Sequence, residues 1–289
     1  MYFQEVKLVH WRNFEQLEIT FPDRLIILKG DNAQGKTNLL EALYFLARGV
    51  SFRHAKDQEL VKRGEDYCLA STRVWEGNTY FTKKVLIRPG HKREWKLNEH
   101  LGQGKRGIWL VGYFPTDSEI VDGPPQRRRE FLDEAIGFIY PGHEQLVNQY
   151  EQILARRNIL LKEHSGGELL DVYTSKLITL GTKIMKGRLQ YIQLFLPFLQ
   201  SFYSRLSGSR GHVHLHYQPA GYDLTGEIEG SLRAVFDKVE NEERERGVTL
   251  AGPHRDEISC GKEDFDFRYF GSQGEKKTLA LSLKMAERS

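Results

Sequence analysis

The stretch Gly30-Asp31-Asn32-Ala33-Gln34-Gly35-Lys36-Thr37 constrains this chain more than any other. It fits the phosphate-loop pattern G-x-x-x-x-G-K-[ST], which belongs where a strand runs into a glycine-rich turn and then a helix. The flanks suit that context. Leu25-Ile26-Ile27-Leu28 is a short apolar run predicted to form a buried parallel strand. Leu39, Ala42, Leu43 and Leu46 then recur at helical spacing, and Gly49 is the predicted stop. Such a turn aims several backbone N–H groups at one point, and that point suits a phosphate. Lys36 is placed to reach a β- or γ-phosphate, and the Thr37 hydroxyl to ligate Mg²⁺.

With 289 residues the chain has room for a large core and one or two domains. No segment approaches the run of about 20 apolar residues that a helical membrane span requires. Residues 1–7 already alternate like a strand, so no signal peptide is expected ahead of the fold. Cys68 and Cys260 are far apart, each in apolar or strand-like sequence, and are expected to be free, buried thiols in a reducing compartment. The net charge is only +3, which declares no partner. The basic residues are nevertheless clustered, at Lys83-Lys84, Lys92-Arg93, Lys105-Arg106, Arg127-Arg128-Arg129, Arg156-Arg157 and Lys276-Lys277. Clusters of this kind either build a phosphate-binding surface or are solvated charges on separate faces.

Residues 2–21 read as a β-hairpin, with Val6 and Leu8 on one strand, Leu17, Ile19 and Phe21 on the other, and Arg12-Asn13-Phe14 at the turn. Residues 66–97 carry short alternating strands with turns at Glu76-Gly77-Asn78 and Arg88-Pro89-Gly90. A helical texture begins after Asp122-Gly123-Pro124-Pro125. One helix presents Phe131, Leu132, Ala135, Ile136 and Ile139 on one face and ends at Pro141-Gly142. A second covers about 143–163 and is broken at Ser165-Gly166-Gly167. Its predicted inward residues are Leu146, Tyr150, Ile153, Leu154 and Leu161. A third carries Tyr173, Leu177, Leu180, Ile184, Gly187, Tyr191, Leu194 and Phe198 at 4-3 spacing, a packing seam that Pro197 is predicted to kink or end. The seam is too short for a long coiled coil. His212-Val213-His214-Leu215-His216-Tyr217 alternates as a strand, and its histidines read as a polar outer face rather than a zinc set. Residues 240–246 read as a solvated helical face with Glu242 and Arg246 paired at i,i+4.

Near the end stands Ser272-Gln273-Gly274-Glu275, followed by Leu279, Leu281, Leu283 and Met285 in a helical setting. A Ser-x-Gly ahead of a helix is either a second anion site or a simple helix cap. Coupled with the upstream phosphate loop, it matches the S-x-G-[EQ] signature of ATP-binding-cassette heads. Three further features narrow the resemblance. They are Arg12-Asn13-Phe14, the run from Phe114-Pro115-Thr116-Asp117 to Arg127-Arg128-Arg129-Glu130-Phe131-Leu132-Asp133, and Gly252-Pro253-His254-Arg255-Asp256-Glu257. In this order, and over nearly the whole chain, they resemble the bacterial RecF family of recombination mediators.

The resemblance implies an α/β fold, an ABC-type P-loop ATPase head with a mixed sheet and a helical lobe but no long coiled coil. The division it suggests is an ATPase lobe at 1–117, a helical lobe at 118–211, and return strands with the signature at 212–289. It implies a cytoplasmic, nucleoid-associated, ATP-dependent homodimer that binds double-stranded DNA at gaps and double-strand/single-strand junctions. Such a protein works with RecR, indirectly with RecO, and helps load recombinase during repair, replication restart and the SOS response; no membrane is involved. Carried over by position, Arg12, Gly30, Asn32, Gly35, Lys36, Thr37 and Asn38 belong to the ATP site, with Mg²⁺ on Thr37. Ser272, Gln273, Gly274 and Glu275 face the ATP held by the opposite protomer. Arg127, Arg128 and Arg129 are DNA-contact candidates, or a structural cluster with Glu130 and Asp133.

Two features depart from the family pattern. Downstream of the phosphate loop no run of four apolar residues ends in Asp-Asp or Asp-Glu, so the Walker B carboxylates are missing, and the chain reads as a piece of a longer one. Weak ATP binding with background turnover is expected of residues 1–289, and weak DNA-stimulated hydrolysis of the complete protein. No glutamine stands in Tyr113-Phe114-Pro115, and Gln126 is a poor substitute. Two other classes remain open: a P-loop small-molecule kinase, which leaves Ser272–Glu275 without a role, and a non-catalytic module that keeps the ATPase fold.

Overall fold

A computed structural model describes residues 1–22, 25–101, 107–108, 110–165, 167–208, 211–263 and 265–287. Lys105-Arg106, and Gly166 of the expected break, lie outside the described residues. The chain divides into two units, Met1–Gly112 and Tyr113–Ser289.

The first unit grows from the hairpin. Strands β1 (Tyr2–Trp11) and β2 (Phe14–Thr20) pair antiparallel, with Leu8 opposite Leu17. On its other edge β1 takes β3 (Cys68–Glu76), with Leu8 opposite Ala70. Then follow β4 (Thr79–Ile87), β5 (Glu94–Leu97) and β6 (His100–Leu101), giving the order β2-β1-β3-β4-β5-β6. The side-chain period of two places Val6, Leu8, Cys68, Ala70, Val85 and Ile87 in one buried cluster. Helix α1 (Lys36–Arg48) lays Leu39, Ala42, Phe45 and Leu46 into the same cluster. The Phe45 ring meets Trp11 edge-on at 5.4 Å and stacks on Trp95 at 5.9 Å. Gly49 ends α1 as expected, in the left-handed region (φ 78°), with its N–H on the Phe45 carbonyl. A short helix α2 (Asp57–Leu60) leads back toward β3.

One expectation fails. Residues 25–28 form no strand, and Leu25 and Ile27 are 80% and 82% exposed. A parallel strand needs a neighbour delivered by a crossover connection. Every ladder among the described residues is antiparallel, and none reaches this segment. The sheet is therefore antiparallel rather than mixed. Exchanging Leu25 and Ile27 for lysine is expected to change stability by less than about 0.5 kcal/mol, as for ordinary surface positions, while reducing self-association. Urea unfolding with light scattering tests this; a loss above about 2 kcal/mol would reveal a buried partner for the segment.

The second unit is mostly helical. It contains α3 (Glu119–Asp122), α4 (Pro125–Ile139), α5 (Pro141–Lys162), α6 (Glu168–Ser207), α7 (Ile228–Arg246), α8 (Phe267–Phe270) and α9 (Gln273–Ala286). A small antiparallel sheet is built from β7 (Val213–Gln218), β8 (Glu257–Lys262) and β9 (Phe265–Asp266), in the order β7-β8-β9. Residues 118–211 and 212–289 share one core. Phe131, Leu132, Tyr191 and Phe195 pack with Val213, Ile258, Leu279 and Leu283. The histidine strand turns Val213 and Leu215 inward and leaves His212 and His216 exposed.

Helix α6 runs through Pro197 without ending. The proline and Gln193, whose carbonyl loses its donor, are both exposed, so water can serve that carbonyl. Ile192 and Phe195 before the proline, and Leu199 and Tyr203 after it, are buried in the same core and hold the helix together. The 4-3 seam holds for Leu177, Ile184 and Tyr191, then leaves the core: Leu194 and Phe198 are 57% and 44% exposed. A straight helix drifts about 20° per heptad against a strict seven-residue repeat, so the buried stripe migrates to Ile192, Phe195, Leu199 and Tyr203.

Charged groups tie this unit together from inside. Asp133 receives both ends of the Arg188 guanidinium (2.9 and 2.6 Å) and a 2.9 Å contact from His143. Arg188 also donates to the Pro253 carbonyl at 2.9 Å. Asp256 accepts the hydroxyls of Tyr217 and Tyr222 and the Ala220 N–H. The Gly252–Glu257 run is thus a polar hub, buried at Gly252, Pro253 and Asp256. His254 stands on Tyr150 Oη at 2.7 Å, and burial pushes its pKa down to about 4. Protonating it would add a cation near Arg255, Arg129 and Arg157. The unfolded chain therefore binds this proton more readily, so the contribution is complete above about pH 6.5 and disappears as pH falls toward 4. Relative to a His254→Gln variant, the wild type is expected to lose roughly 3 kcal/mol across that window. Urea titrations at pH 7.5, 5.5 and 4.5 measure the difference; parallel pH profiles would contradict a neutral His254.

Candidate nucleotide half-sites

The phosphate loop opens α1 with unsatisfied donors. Gly35 is the N-cap, in the left-handed region (φ 95°), and no side chain caps the helix. Its first turn carries no acidic residue. The free N–H groups and the positive helix end therefore face solvent together. Gly35 is required twice over: its φ disfavours any side chain, and an added Cβ would lie 2.5 Å from Phe14 Cζ. Gly30, Asp31, Asn32, Ala33 and Gln34 are exposed. The Lys36 ammonium arcs back over the loop and donates to the carbonyls of Gly30 (2.7 Å) and Asp31 (2.6 Å). Thr37 is exposed in the first turn, its hydroxyl available to a cation.

The hairpin turn clasps this helix start. Trp11 Nε1 donates to the Asn38 carbonyl at 3.2 Å, and Asn38 Nδ2 donates to Asn13 Oδ1 at 2.7 Å. Asn38 Oδ1 accepts from Arg53 at 3.0 Å, so its amide is used on both ends in positioning. Arg12, at φ 54°, grips the Glu41 carboxylate through Nε (2.8 Å) and Nη2 (2.6 Å) and reaches the Glu59 carbonyl at 2.7 Å. Glu41 is fully buried, also accepts from Ser51 Oγ at 2.5 Å, and has Arg53 at 3.6 Å. The sequence reading missed Glu41, Ser51 and Arg53. The signal was present in Glu41, a carboxylate lying between Leu39 and Ala42 on the apolar face of α1, where only a paired charge is stable.

The second half-site opens α9. Ser272 is its N-cap and accepts from the Glu275 N–H at 3.3 Å. Glu275 Oε2 in return accepts from Ser272 N (2.9 Å) and Oγ (2.8 Å). This is a complete capping box. The backbone and side-chain bonds from Ser272 hold the Glu275 carboxyl below its ordinary pKa. Ser272, Gln273 and Gly274 are exposed, and the space beside Gly274 is open.

The arginine run lies elsewhere in this unit. Arg128 is buried, with its guanidinium on both oxygens of Glu257 (2.8 and 2.9 Å) and on the carbonyls of Val121 and Gly123. Arg129 donates to the Asp256 carbonyl at 2.7 Å. Arg127 pairs with Glu119 and Glu130 while remaining partly exposed. The partners of the run are Glu119, Glu130, Asp256 and Glu257; Asp133 belongs to Arg188. Both cysteines are free and buried, and burial pushes each thiol up to about 12. No helix among the described residues is long and apolar enough to cross a membrane.

A P-loop helix start, a second helix start capped by the serine of an S-x-G-E run, and a helical lobe define the ABC-type ATPase heads. The fold is shared with the Smc head domain of Pyrococcus yayanosii, at TM-score 0.52 and 12% identity over 99% of this chain and 83% of that one. Closer matches name the family. The chain is 36% identical to the DNA replication and repair protein RecF of Bacillus cytotoxicus and 34% identical to that of Bacillus mycoides, in each case over 99% of this chain and 80% of the relative. It superposes on the recombination mediator RecF–ATPrS of the RecFOR pathway at TM-score 0.91 and 31% identity, covering 99% of this chain and 80% of that one. No family model matches the chain. The chain belongs to the RecF family.

Proposed function

We propose that the chain is an ATP-gated, DNA-binding recombination mediator whose two half-sites close on ATP between two copies. The uncapped start of α1, with Lys36 poised over the loop, is the observation that carries this reading. The α1 N–H groups and Lys36 hold the phosphates, and Thr37 ligates Mg²⁺, which screens their charge. These residues fit the group: no side chain caps the turn, and the first turn of α1 carries no carboxylate. Ser272, Gln273 and Gly274 receive the γ-phosphate of the opposite copy, an isologous arrangement that closes two sites at once. Glu275, whose carboxylate sits on Ser272, releases it as that phosphate docks. ADP lacks the γ-phosphate and cannot make the bridging bonds.

The proposed DNA target is double-stranded, at gaps and junctions, bound through the phosphate backbone and hence weakened by salt. Arg127, and to a lesser degree Arg129, are the candidates left from the arginine run; buried Arg128 takes no part. RecR, and RecO indirectly, are the proposed partners in the cytoplasm.

Sedimentation of the chain with ATP–Mg²⁺, ADP–Mg²⁺ and no nucleotide tests the central claim. ATP alone is expected to produce a dimer. Ser272→Arg is expected to abolish that dimer while leaving ATP affinity within about threefold, less than one lost hydrogen bond. A dimer of equal strength in Ser272→Arg would remove the signature from the interface.

A further inference from the structure

Helices α4, α5 and α6 line an open cavity of about 350 Å³ that the nucleotide reading does not use. Ile136 and Tyr191 form its buried floor with Leu146, while Tyr140 and Leu194, each about half exposed, form the walls of its mouth. His143 lies at its base but is bonded to Asp133, which is itself neutralised by Arg188. The interior therefore offers apolar surface and no unpaired charge. Ile139 at the end of α4 and Phe198, one turn after Leu194 on α6, are 46% and 44% exposed.

The rim is charged, and mainly of one sign. On α6 the exposed Lys183 lies one turn before Gly187, and the exposed Lys186 one turn before Gln190; both Gly187 and Gln190 line the cavity. The 22-residue helix α5 begins here, with Pro141 first, Gly142 on the lining and no side-chain cap. Its positive end faces the same mouth. One exposed carboxylate, Glu144, sits in the first turn of α5 with its Cβ against Gly137 and offsets part of the charge of that helix end. An apolar pocket of ligand size with a basic rim fits a chain that buries one large side chain and surrounds it with carboxylates.

We propose that this cavity docks an acidic peptide segment of a partner protein. Its aromatic or branched aliphatic anchor enters between Tyr140 and Leu194, and its carboxylates face Lys183, Lys186 and the start of α5. The helix-in-groove and acidic-motif modes of recognition meet here. Nucleic acid fits less well, because phosphates gain nothing from the apolar floor.

Fluorescence anisotropy of the full chain tests this with a fluorescein-labelled peptide of four aspartates followed by leucine and phenylalanine. A second peptide carries lysines in place of the aspartates. The acidic peptide is expected to bind with a Kd on the order of 10 μM, and the basic one at least tenfold more weakly. Leu194→Glu, a change at an exposed position, is expected to weaken the acidic peptide at least tenfold. Lys183→Glu with Lys186→Glu, both on the surface, should do the same and remove the salt dependence. Absence of binding by the wild type, equal binding of the two peptides, or full binding by Leu194→Glu would overturn the proposal. Loss of self-association in Leu194→Glu, with no peptide binding to the wild type, would overturn it too and assign the pocket to a second copy of the chain.

Discussion

Arg157→Ala is expected to destabilise the second unit by about 3–5 kcal/mol, the scale for stripping one partner from a buried ion pair. Arg157 is 2% exposed and Glu243, which it meets at 2.6 Å, is fully buried. The same guanidinium donates to Thr249 Oγ1 (2.8 Å) and Thr174 Oγ1 (2.9 Å) and lies 5.1 Å over the Phe236 ring. It therefore joins α5 to α6, α7 and the segment that leads into the Gly252–Glu257 hub. Alanine removes all of this and strands a carboxylate, which among the described residues keeps the Leu250 N–H at 2.6 Å. Guanidinium unfolding followed by near-ultraviolet circular dichroism reports the loss. Exchanging the pair together, Arg157→Met with Glu243→Leu, is expected to recover much of it, since no charge is then left buried. A single-variant loss below about 1 kcal/mol would mean that water reaches Glu243.

Lys36→Met is expected to lower ATP affinity about a hundredfold, close to 2.7 kcal/mol and within the range for hydrogen bonds to charged groups. The fold should not notice. The recorded bonds of this side chain go to two exposed loop carbonyls, Gly30 and Asp31, which water can serve equally well. Isothermal titration with ATP, next to a thermal melt of the same sample, separates binding from folding. Gly35→Ala is expected to lose ATP binding by another route, because its Cβ meets Phe14 and its φ is strained. Titration of Lys36→Met within threefold of wild type would place the phosphates elsewhere.

Local patterns in the sequence carried far. The hairpin, the strands between 66 and 97 and α1 with its Gly49 stop follow from periodicity and turn residues, and all stand in the structure. Helix α5 stands where expected, and α6 differs in running through Pro197. Where long-range contacts decide, the pattern was silent or misleading. Leu25–Leu28 has strand composition, but a strand exists only with a neighbour, and composition does not supply one. Residues 240–246 read as a solvated face; Glu242 and Arg246 do pair there at 2.6 Å, yet Glu243 turns inward to an arginine 86 positions away. Arg127-Arg128-Arg129 reads as a patch, but helical geometry sends its members in different directions, and Glu257 holds the middle one. At the candidate site the sequence named the loop and the signature. It did not reveal the Arg12–Glu41–Ser51 clasp, because that contact joins a turn, a helix and a loop that no local rule relates.

The two candidate half-sites each open a helix at a glycine-containing turn, and their resting states differ. At the start of α1 no side chain caps the helix N–H groups, and only the Lys36 ammonium, held on the Gly30 and Asp31 carbonyls, has to turn toward an arriving anion. At the start of α9 the Glu275 carboxylate already sits on Ser272, as a built-in competitor present at high local concentration. On the proposed function one chemical group would meet two different thresholds: a dilute phosphate would settle on the first helix, whereas the second would respond to an anion presented rigidly and at close range. Under that proposal, arrival and recognition would be set in sequence by a single side chain three residues into a capping box.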